Sequence, residues 1–321
     1  MKRFLTRLAV FSAVAIPGYV LAVCIWGLIA PLVLRPNLPY LKGVAGFTHT
    51  RTHEILDYGK VDVLVLGSSR AFRGFDTRIF EQRGIRMFNL GTTGQAPVGS
   101  LMLAKQYMHK VDPDLVIIEI GNETFTSDGV ESGLDLLTNN KIDWHSLVLT
   151  LEVNHVKLYN TFIYSLFRQI LNLDKDYVEP KKKDGRKYVS GGYIEAEIVH
   201  HTPSKYPKER VRKLSKLQKR SLQDLVHWLE DQEKSVLLVE VPTASDRYRT
   251  FGNHDEFTNF LENTAPFVSF LKNLNLNDSL HFSDASHLNQ YGTEVFNKAL
   301  INWLTDHGWL SETEGELPVS D

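Results

Sequence analysis

The sequence predicts an α/β fold, a three-layer sandwich with a mostly parallel sheet, preceded by one transmembrane helix. Three observations predict it. Short apolar runs rich in β-branched residues alternate with segments of helical spacing, polar residues directly follow those runs, and the first 35 residues differ from the rest. Buried strands that alternate with helices are typical of a parallel sheet covered on both faces.

The composition of the chain sets limits on its class. With 321 residues, 43% of them hydrophobic, the chain is long enough for a sizeable core. A formal net charge of −2 gives no general basis for binding nucleic acid, so no such partner is expected. The single cysteine, Cys24, excludes an intrachain disulfide framework and a cysteine-based metal cluster.

The N-terminus predicts a membrane anchor. Lys2, Arg3 and Arg7 precede residues 8–34, which carry no charge. Roughly 20 apolar residues span a bilayer, and a basic flank favours an N-terminus inside and a domain outside the cytoplasm, periplasmic or extracellular. Two other interpretations stay open: a cleaved signal or lipoprotein site near residues 21–24, and a buried helix of a soluble protein.

The elements of the domain follow in order along the chain. Residues 1–35 are predicted to be the anchor, 36–58 a linker and 59–310 the domain, with an insertion at about 125–220 and a disordered tail at 311–321. The apolar runs predict four strands and a weaker fifth, at 61–66, 86–90, 115–120, 235–241 and near 279–282. Helical spacing predicts helices from about 71, and at 77–82, 98–109, 208–233 and 291–307.

The insertion carries a basic segment. Residues 175–220 contain 14 Lys and Arg against 6 Asp and Glu. This segment is interpreted either as a solvated surface or as a patch that contacts anionic lipid headgroups or an acidic glycan near the anchor.

Residues suited to acyl transfer follow the predicted strands. Ser69 follows the first strand, Gly94 the second and Asn122 the third, while Asp284 and His287 lie three residues apart near the C-terminus. Acyl transfer from an ester needs a nucleophile, a base, a group that orients the base, and donors for the oxyanion. These residues supply all four functions. In a parallel sheet the carboxyl ends of the strands meet at one edge, so residues that follow the strands are expected to lie close together.

Each of these residues also has an ordinary structural role. Ser69 could cap the following helix, Gly94 could serve a turn with positive φ, and Asn122 could bind local backbone groups. Asp284 could be a helix N-cap, and His287 is one of 12 histidines. The order and placement of the set favour the catalytic interpretation.

The ordered set resembles the SGNH (GDSL-like) hydrolase superfamily, in which serine, glycine, asparagine and histidine lie in four blocks on a flavodoxin-like sheet. The resemblance covers roughly residues 60–125 and 235–307. It implies the following roles: Ser69 as nucleophile, His287 as base, Asp284 as the residue that orients it, and Ser69, Gly94 (rather than Gly91) and Asn122 as the oxyanion hole.

The resemblance has departures that point to a subgroup. Ser68 replaces the usual aspartate, and Glu123 replaces an aspartate that often follows the asparagine. A Gly-Ser-Ser signature is similar to that of membrane-anchored members that act on cell-envelope polymers. This implies an extracytoplasmic serine esterase or O-acyltransferase acting on acyl, chiefly acetyl, esters of a glycan, with an acyl-transferring multi-spanning membrane protein as a partner. The alternatives are a non-catalytic glycan-binding or assembly protein and a lipid acyl hydrolase.

Three further residues are candidates for substrate contact. Arg70 follows the nucleophile and is interpreted either as a contact for an anionic substrate or as one partner of an ion pair elsewhere. Arg247 and Tyr248 follow the fourth strand at the same edge of the sheet and are candidate contacts. No metal or organic cofactor is expected, because His200 and His201 have no further ligand at a suitable spacing. The chain also lacks the Gly-Lys-Ser/Thr of a P-loop and the Gly-x-Ser-x-Gly of α/β-hydrolases.

Overall fold

The computed structural model describes residues 1–44, 46–205 and 207–310. The predicted tail, 311–321, lies outside the described residues. The strands are β1 Val63–Leu66, β2 Met87–Asn89, β3 Leu115–Ile120, β4 Lys182–Lys183, β5 Arg186–Tyr188, β6 Ile194–Ala196, β7 Ser235–Glu240, β8 Phe267–Ser269, β9 Phe282–Asp284 and β10 His287–Leu288.

Helices lie between the strands and before them. They are α1 Lys2–Ile29, α2 Thr48–Glu54, α3 Ser69–Gly74, α4 Thr77–Glu81, α5 Pro97–Val111, α6 Asn122–Thr126, α7 Val130–Asn139, α8 Trp144–Val153, α9 Val156–Ile170, α10 Lys216–Asp231, α11 Ser245–Tyr248, α12 His254–Glu262, α13 Asp278–His281 and α14 Gln290–Asp306, with a 3₁₀ turn at Leu32–Leu34.

The central sheet has five strands in the order β2-β1-β3-β7-β8, and every neighbouring pair is parallel. Numbered among themselves, these strands run 2-1-3-4-5, which is the flavodoxin-like order. The predicted fold is therefore confirmed. The order places β1 between β2 and β3, so the loops after these strands flank the end of β1.

Alternate residues of the strands pack into two hydrophobic cores, one on each face of the sheet. In β1, Val63 and Val65 pack on the face covered by α3, α4 and α14, while Leu64 and Leu66 pack on the face covered by α5, α10 and α12. All four side chains are fully buried. A strand buried on both faces needs a continuous apolar run rather than alternation, which explains why the run at 61–66 was recognisable.

Two predicted elements differ from the structure. The fifth parallel strand is β8, not a strand near 279–282, because the Asn277 side chain accepts hydrogen bonds from the Ser279 and Leu280 N–H groups and caps α13 there. The helix predicted at 208–233 begins only at Lys216, since the preceding residues run extended beside the 247–252 loop. The insertion folds into α7, α8, α9 and a three-stranded antiparallel sheet, β4–β6.

The N-terminal helix α1 is 28 residues long. In the described part of the chain it is the one helix whose length and apolar composition allow it to cross a membrane, and a signal sequence meets the same criteria. Most of its side chains are exposed, but Val23, Cys24 and Gly27 are buried against the domain.

Candidate active site

Ser69 lies at the turn from β1 into α3. Gly67, at the end of the strand, has a φ of +150°, and a Cβ atom there would lie 2.5 Å from the Cβ of Glu119. Only glycine fits this turn. Ser68 is the N-cap of α3, and its Oγ accepts a hydrogen bond from the Arg70 N–H at 3.3 Å. The capping role considered for Ser69 thus belongs to its neighbour, which leaves the Ser69 hydroxyl for other contacts.

The structure brings Ser69, His287 and Asp284 together. The Ser69 Oγ lies 2.7 Å from the Nε2 of His287, and the Nδ1 of that ring lies 2.8 and 2.9 Å from the two carboxylate oxygens of Asp284. The acceptor at Nδ1 is a carboxylate, so Nδ1 carries the proton and Nε2 accepts one from the serine. This is the geometry of a serine, base and orienting-acid triad.

The base and the orienting acid lie on one short hairpin formed by β9 and β10. The N–H groups of Ser286 and His287 donate to the Asp284 carboxylate at 2.9 and 3.1 Å, so the tight turn itself holds the acid in place. Arg73 of α3 connects this hairpin to the serine helix: its guanidinium donates to the Ser283 hydroxyl at 2.5 Å and to Asp284 at 3.4 Å. Sequence reasoning missed Arg73, since nothing local relates it to residues more than 200 positions away.

The protonation states suit a general base. Burial lowers the pKa of His287, against the opposing hydrogen bond from Asp284, so the imidazole is neutral at pH 7. Burial alone would raise the pKa of Asp284, but the hydrogen bond and charge of His287 outweigh it and hold that pKa well below its usual range. Asp284 therefore stays ionised over the range in which the imidazole gains or loses its proton.

The three predicted oxyanion donors are the N–H groups of Ser69 and Gly94 and the Asn122 side chain, and their role stays a prediction. Gly94 follows β2 and has a φ of +58°, and Asn122 begins α6 directly after β3. Within residues 1–44, 46–205 and 207–310, the N–H groups of Ser69 and Gly94 and the Asn122 side-chain amide donate to no protein group. In contrast, the Gly91 N–H is already bound to the Asn89 side chain at 3.1 Å. The free donors match the set that the resemblance implies.

The geometry does not support the predicted substrate contact of Arg70. Its side chain is only 7% exposed and turns beneath the site, where its Nε lies 3.1 Å from Glu119 and its Nη2 lies 2.9 Å from Glu123. Of the two interpretations of Arg70, the structure shows the ion pair, because the carboxylates of β3 and α6 hold the guanidinium inward.

Arg247 and Tyr248 have other partners as well. The Arg247 Nε donates to Glu123 at 2.6 Å, which fixes the guanidinium at the edge of the same charged cluster while leaving it partly exposed. The Tyr248 ring stacks on His254 at a centroid distance of 4.0 Å, away from the triad. Substrate contacts through Arg247 and Tyr248 stay predictions.

Behind the serine lies a buried charge network that sequence reasoning also missed, formed by Arg70, Arg247, Glu119, Glu123 and Glu240. Glu119 is fully buried, and its Oε2 accepts hydrogen bonds from the Ser68 N–H and hydroxyl at 2.7 and 2.8 Å. A glutamate inside the otherwise apolar strand at 115–120 was the available signal.

Two carboxyl groups of the network have pKa values shifted in opposite directions. Burial would raise the pKa of Glu123, but Arg70 and Arg247 lower it to about 2. Burial raises the pKa of Glu240 to about 7. Glu123 is therefore ionised between its two arginine partners, whereas Glu240 gains or loses its proton near neutral pH.

Gly121 makes room for this network. A Cβ atom there would lie 1.1 Å from the Nη2 of Arg70, so any side chain at this position displaces the guanidinium.

Within the described ranges, no group of three His, Cys, Asp or Glu side chains is arranged to hold a metal ion.

Comparisons with known proteins give similarity in structure only. No family model and no curated protein matches the chain. The chain is similar to a GDSL-like lipase from Bacteroides thetaiotaomicron, with 12% identity, 77% of this chain and 88% of that chain covered, and a TM-score of 0.38. It is similar to a lipase/acylhydrolase from Enterococcus faecalis, with 12% identity, 79% of this chain and 99% of that chain covered, and a TM-score of 0.39. It is also similar to an acetyl xylan esterase, with 12% identity, 75% of this chain and 99% of that chain covered, and a TM-score of 0.39. These values are too low to transfer a role to any residue.

Proposed function

We propose that this chain is a serine ester hydrolase of the SGNH (GDSL-like) type. The observation that carries the proposal is the continuous hydrogen-bonded path from the Ser69 hydroxyl through the His287 ring to the Asp284 carboxylate. The flavodoxin-like strand order, which brings the end of β1 between the ends of β2 and β3, supports it.

The reaction follows from this geometry. His287 Nε2 takes the proton of Ser69 Oγ while that oxygen attacks the ester carbonyl carbon. The negative charge that develops on the carbonyl oxygen faces the N–H groups of Ser69 and Gly94 and the Asn122 amide. The imidazolium returns its proton to the departing alcohol, which leaves an acyl-serine that water cleaves by the same steps in reverse order.

Hydrolysis is the simpler form of the proposal, and transfer of the acyl group to a sugar hydroxyl is its finer form. Ser69 is half-buried, which leaves its hydroxyl accessible to either acceptor. The finer proposal, an acetyl ester of a cell-envelope or exported glycan, is supported by the resemblance of the Gly-Ser-Ser signature to membrane-anchored members. The anchor, the extracytoplasmic location and an acyl-transferring membrane partner are proposals that rest on α1 and its basic flank.

The first experiment tests ester hydrolysis itself. The full chain in detergent micelles is expected to hydrolyse a short-chain aryl acetate, and Ser69→Ala is expected to abolish that activity. Ser286→Ala, in the hairpin beside the triad, is the matched control, because its backbone N–H and not its side chain contacts Asp284. Equal rates for Ser69→Ala and the unaltered chain would overturn the assignment of the nucleophile.

A second experiment separates the substrate classes. A fluorophosphonate probe is expected to label Ser69, and release of acetate from an acetylated glycan is expected to exceed release of fatty acid from a lysophospholipid. Faster cleavage of the lysophospholipid would favour a lipid acyl hydrolase. A folded sample that binds the glycan but never reacts with the probe would favour a non-catalytic binding protein.

A further inference from the structure

A cavity of about 630 Å³ lies at the end of the domain opposite to the triad. Its walls are α2 and the last turns of α5, α7 and α9, which contribute His49, Tyr107, Thr138 and Ser165 in that order. We call it the basal cavity. The helix α5 begins after β2 at the active-site edge and runs back for 15 residues, so its last turn lies about 22 Å from its start. The basal cavity is therefore separate from the proposed active site, and its volume is typical of sites for small ligands.

Hydrogen bonds fix the floor of the basal cavity, which is the loop between α7 and α8. The Asn140 side chain donates to the Gln106 side chain at 2.7 Å and accepts from the Tyr107 hydroxyl. The Gln169 side chain donates to the Ile142 carbonyl at 3.0 Å and accepts from the Ile142 N–H at 2.8 Å. A floor held in this way is already ordered, so little entropy is lost there when a ligand binds.

Buried polar groups without partners line the basal cavity. Thr138 is 3% exposed and Ser165 is 5% exposed, and neither hydroxyl has a hydrogen-bond partner in the part of the chain that the structure describes. The Nδ1 of His49 is unpartnered in the same way. Burial lowers the pKa of His49 to about 4, so its ring is neutral at pH 7. A buried polar group costs free energy when it has no partner, and these groups suit a molecule that both donates and accepts, as a sugar hydroxyl does.

The rim of the basal cavity carries an excess of positive charge. Five Lys and Arg side chains line the cavity, against two carboxylates. Lys42 and Arg168 share the carboxylate of Asp174, at 3.2 and 2.6 Å, and the other carboxylate, Asp143, caps α8. Three lysines form no ion pair with any described residue: Lys110, Lys141 and Lys175. Uncompensated cations around a concave site attract anions.

We propose that the basal cavity binds a hydroxyl-rich anion, namely a sugar that carries a carboxylate or a phosphate. The hydroxyls of Thr138 and Ser165 bond its hydroxyl groups, and the lysines of the rim hold its anionic group. A uronate and a sugar phosphate share this chemistry. The inference rests on the cavity alone, so it depends neither on ester hydrolysis nor on membrane anchoring.

The first experiment tests the class of ligand. Isothermal titration calorimetry of the full chain in detergent micelles compares glucuronate, glucose-1-phosphate, glucose and inorganic phosphate. At least one of the two sugar anions is expected to bind about tenfold more tightly than glucose, because hydrogen bonds to a charged group are the stronger ones. The tighter of the two shows whether the anionic group is a carboxylate or a phosphate.

Three results of this titration would overturn the proposal. If neither sugar anion binds, water completes the buried hydroxyls. If glucose binds as tightly as both sugar anions, the ligand is not an anion. If inorganic phosphate binds as tightly as the better sugar anion, the sugar hydroxyls are not recognised.

The second experiment locates the site. The double variant Thr138→Val with Ser165→Ala is expected to bind the sugar anion about tenfold more weakly. Its free energy of unfolding in urea should not fall, because neither hydroxyl has a partner to lose. Thr161→Val is the matched control, since Thr161 on α9 is also buried and unpartnered among the described residues but does not line the cavity. Unchanged affinity in the double variant, or an equal loss in Thr161→Val, would overturn the assignment.

Variants of the rim give an independent test that leaves the buried floor intact. Lys110→Gln with Lys141→Gln is expected to weaken binding of the sugar anion by roughly fivefold, because the rim loses two positive charges. Lys213→Gln, an exposed lysine outside the cavity, is the matched control. An equal loss in the control would show that the attraction is not local to the cavity and would overturn the role of the rim. Ser69→Ala should bind the sugar anion as the unaltered chain does, which separates this site from ester hydrolysis.

Discussion

Titratable side chains lie on both sides of Ser69. We call the side with His287 and Asp284 the front, and the side with the buried charge network the back. In front, His287 and Asp284 lie on a hairpin that reaches solvent, and the imidazole must gain and lose a proton in each turnover. Behind, Arg70 and Glu119 are buried in a network that holds its charges fixed. The difference indicates that the front performs proton transfer, whereas the back keeps the strand-to-helix turn in one conformation.

The largest expected effect is on the front. His287→Ala is expected to lower kcat for an aryl acetate by about 10⁴-fold or more, because Ser69 then has no base. The free energy of unfolding should change by less than about 1 kcal/mol, since the hairpin is near the surface. The measurements are steady-state kinetics and urea unfolding. A loss of stability that matches the loss of activity would break the proposed division between front and back.

The next effect is on the back. Glu119→Gln is expected to reduce the free energy of unfolding by about 3 kcal/mol, because it removes one partner of a buried ion pair. The kcat of the folded fraction should change much less, since a glutamine oxygen still accepts from Ser68. Glu294→Gln, which breaks the exposed pair with Lys298, is the matched control and should cost less than about 0.5 kcal/mol.

The opposite pattern for Glu119→Gln would contradict the comparison. If kcat falls as steeply as in His287→Ala while urea unfolding is unchanged, the buried network belongs to the catalytic machinery.

Glu240 makes the back sensitive to pH. Its pKa of about 7 in the folded state lies above the ordinary glutamate value of 4.5, so the folded state holds the proton more tightly than the unfolded one. Its contribution to stability is present below pH 4.5 and is lost as the pH rises towards 7, on the order of 3 kcal/mol in total. A glutamine does not titrate, so Glu240→Gln should not suffer this loss, and its unfolding free energy relative to that of the unaltered chain should rise between pH 5 and 7.5. A constant difference would contradict it.

The smallest expected effect concerns Arg73, which connects the hairpin to α3. Burial is the main cause that lowers the pKa of His287, and the charge of Arg73 lowers it further. The value of kcat/KM should therefore rise with pH through an apparent pKa below 6.5. Arg73→Gln should move that apparent pKa upward, because it removes a positive charge, and reduce kcat by roughly tenfold, because the hairpin loses its connection to α3. The pH profile separates this positioning role from a general loss of stability, which would leave the apparent pKa where it was.

The sequence predicted the front better than the back. Ser69 and Asn122 follow strand-like runs whose pattern is local, and the parallel sheet then brings the ends of these strands to one edge. His287 was identified by its spacing of three residues from Asp284, and the β9–β10 hairpin carries both. Glu119 and Arg70 pair across two different elements, and their spacing in the chain carries no sign of that contact.

A helix cap explains why the fifth strand was predicted at the wrong place. Residues 279–282 contain apolar side chains, but Asn277 offers a helix cap just before them. The true strand β8 is three residues long and partly exposed, so it lacks the long apolar run that identified β3.

The hydrogen bond between Ser69 and His287 closes a loop of 218 residues. Contacts so distant in sequence form late, because the chain entropy of closing the loop must be overcome first. A chain in which only the first three strands of the sheet have formed therefore has Ser69 in its turn but lacks the base and the orienting acid. Under the proposed mechanism, the site becomes reactive only when the β9–β10 hairpin docks against α3.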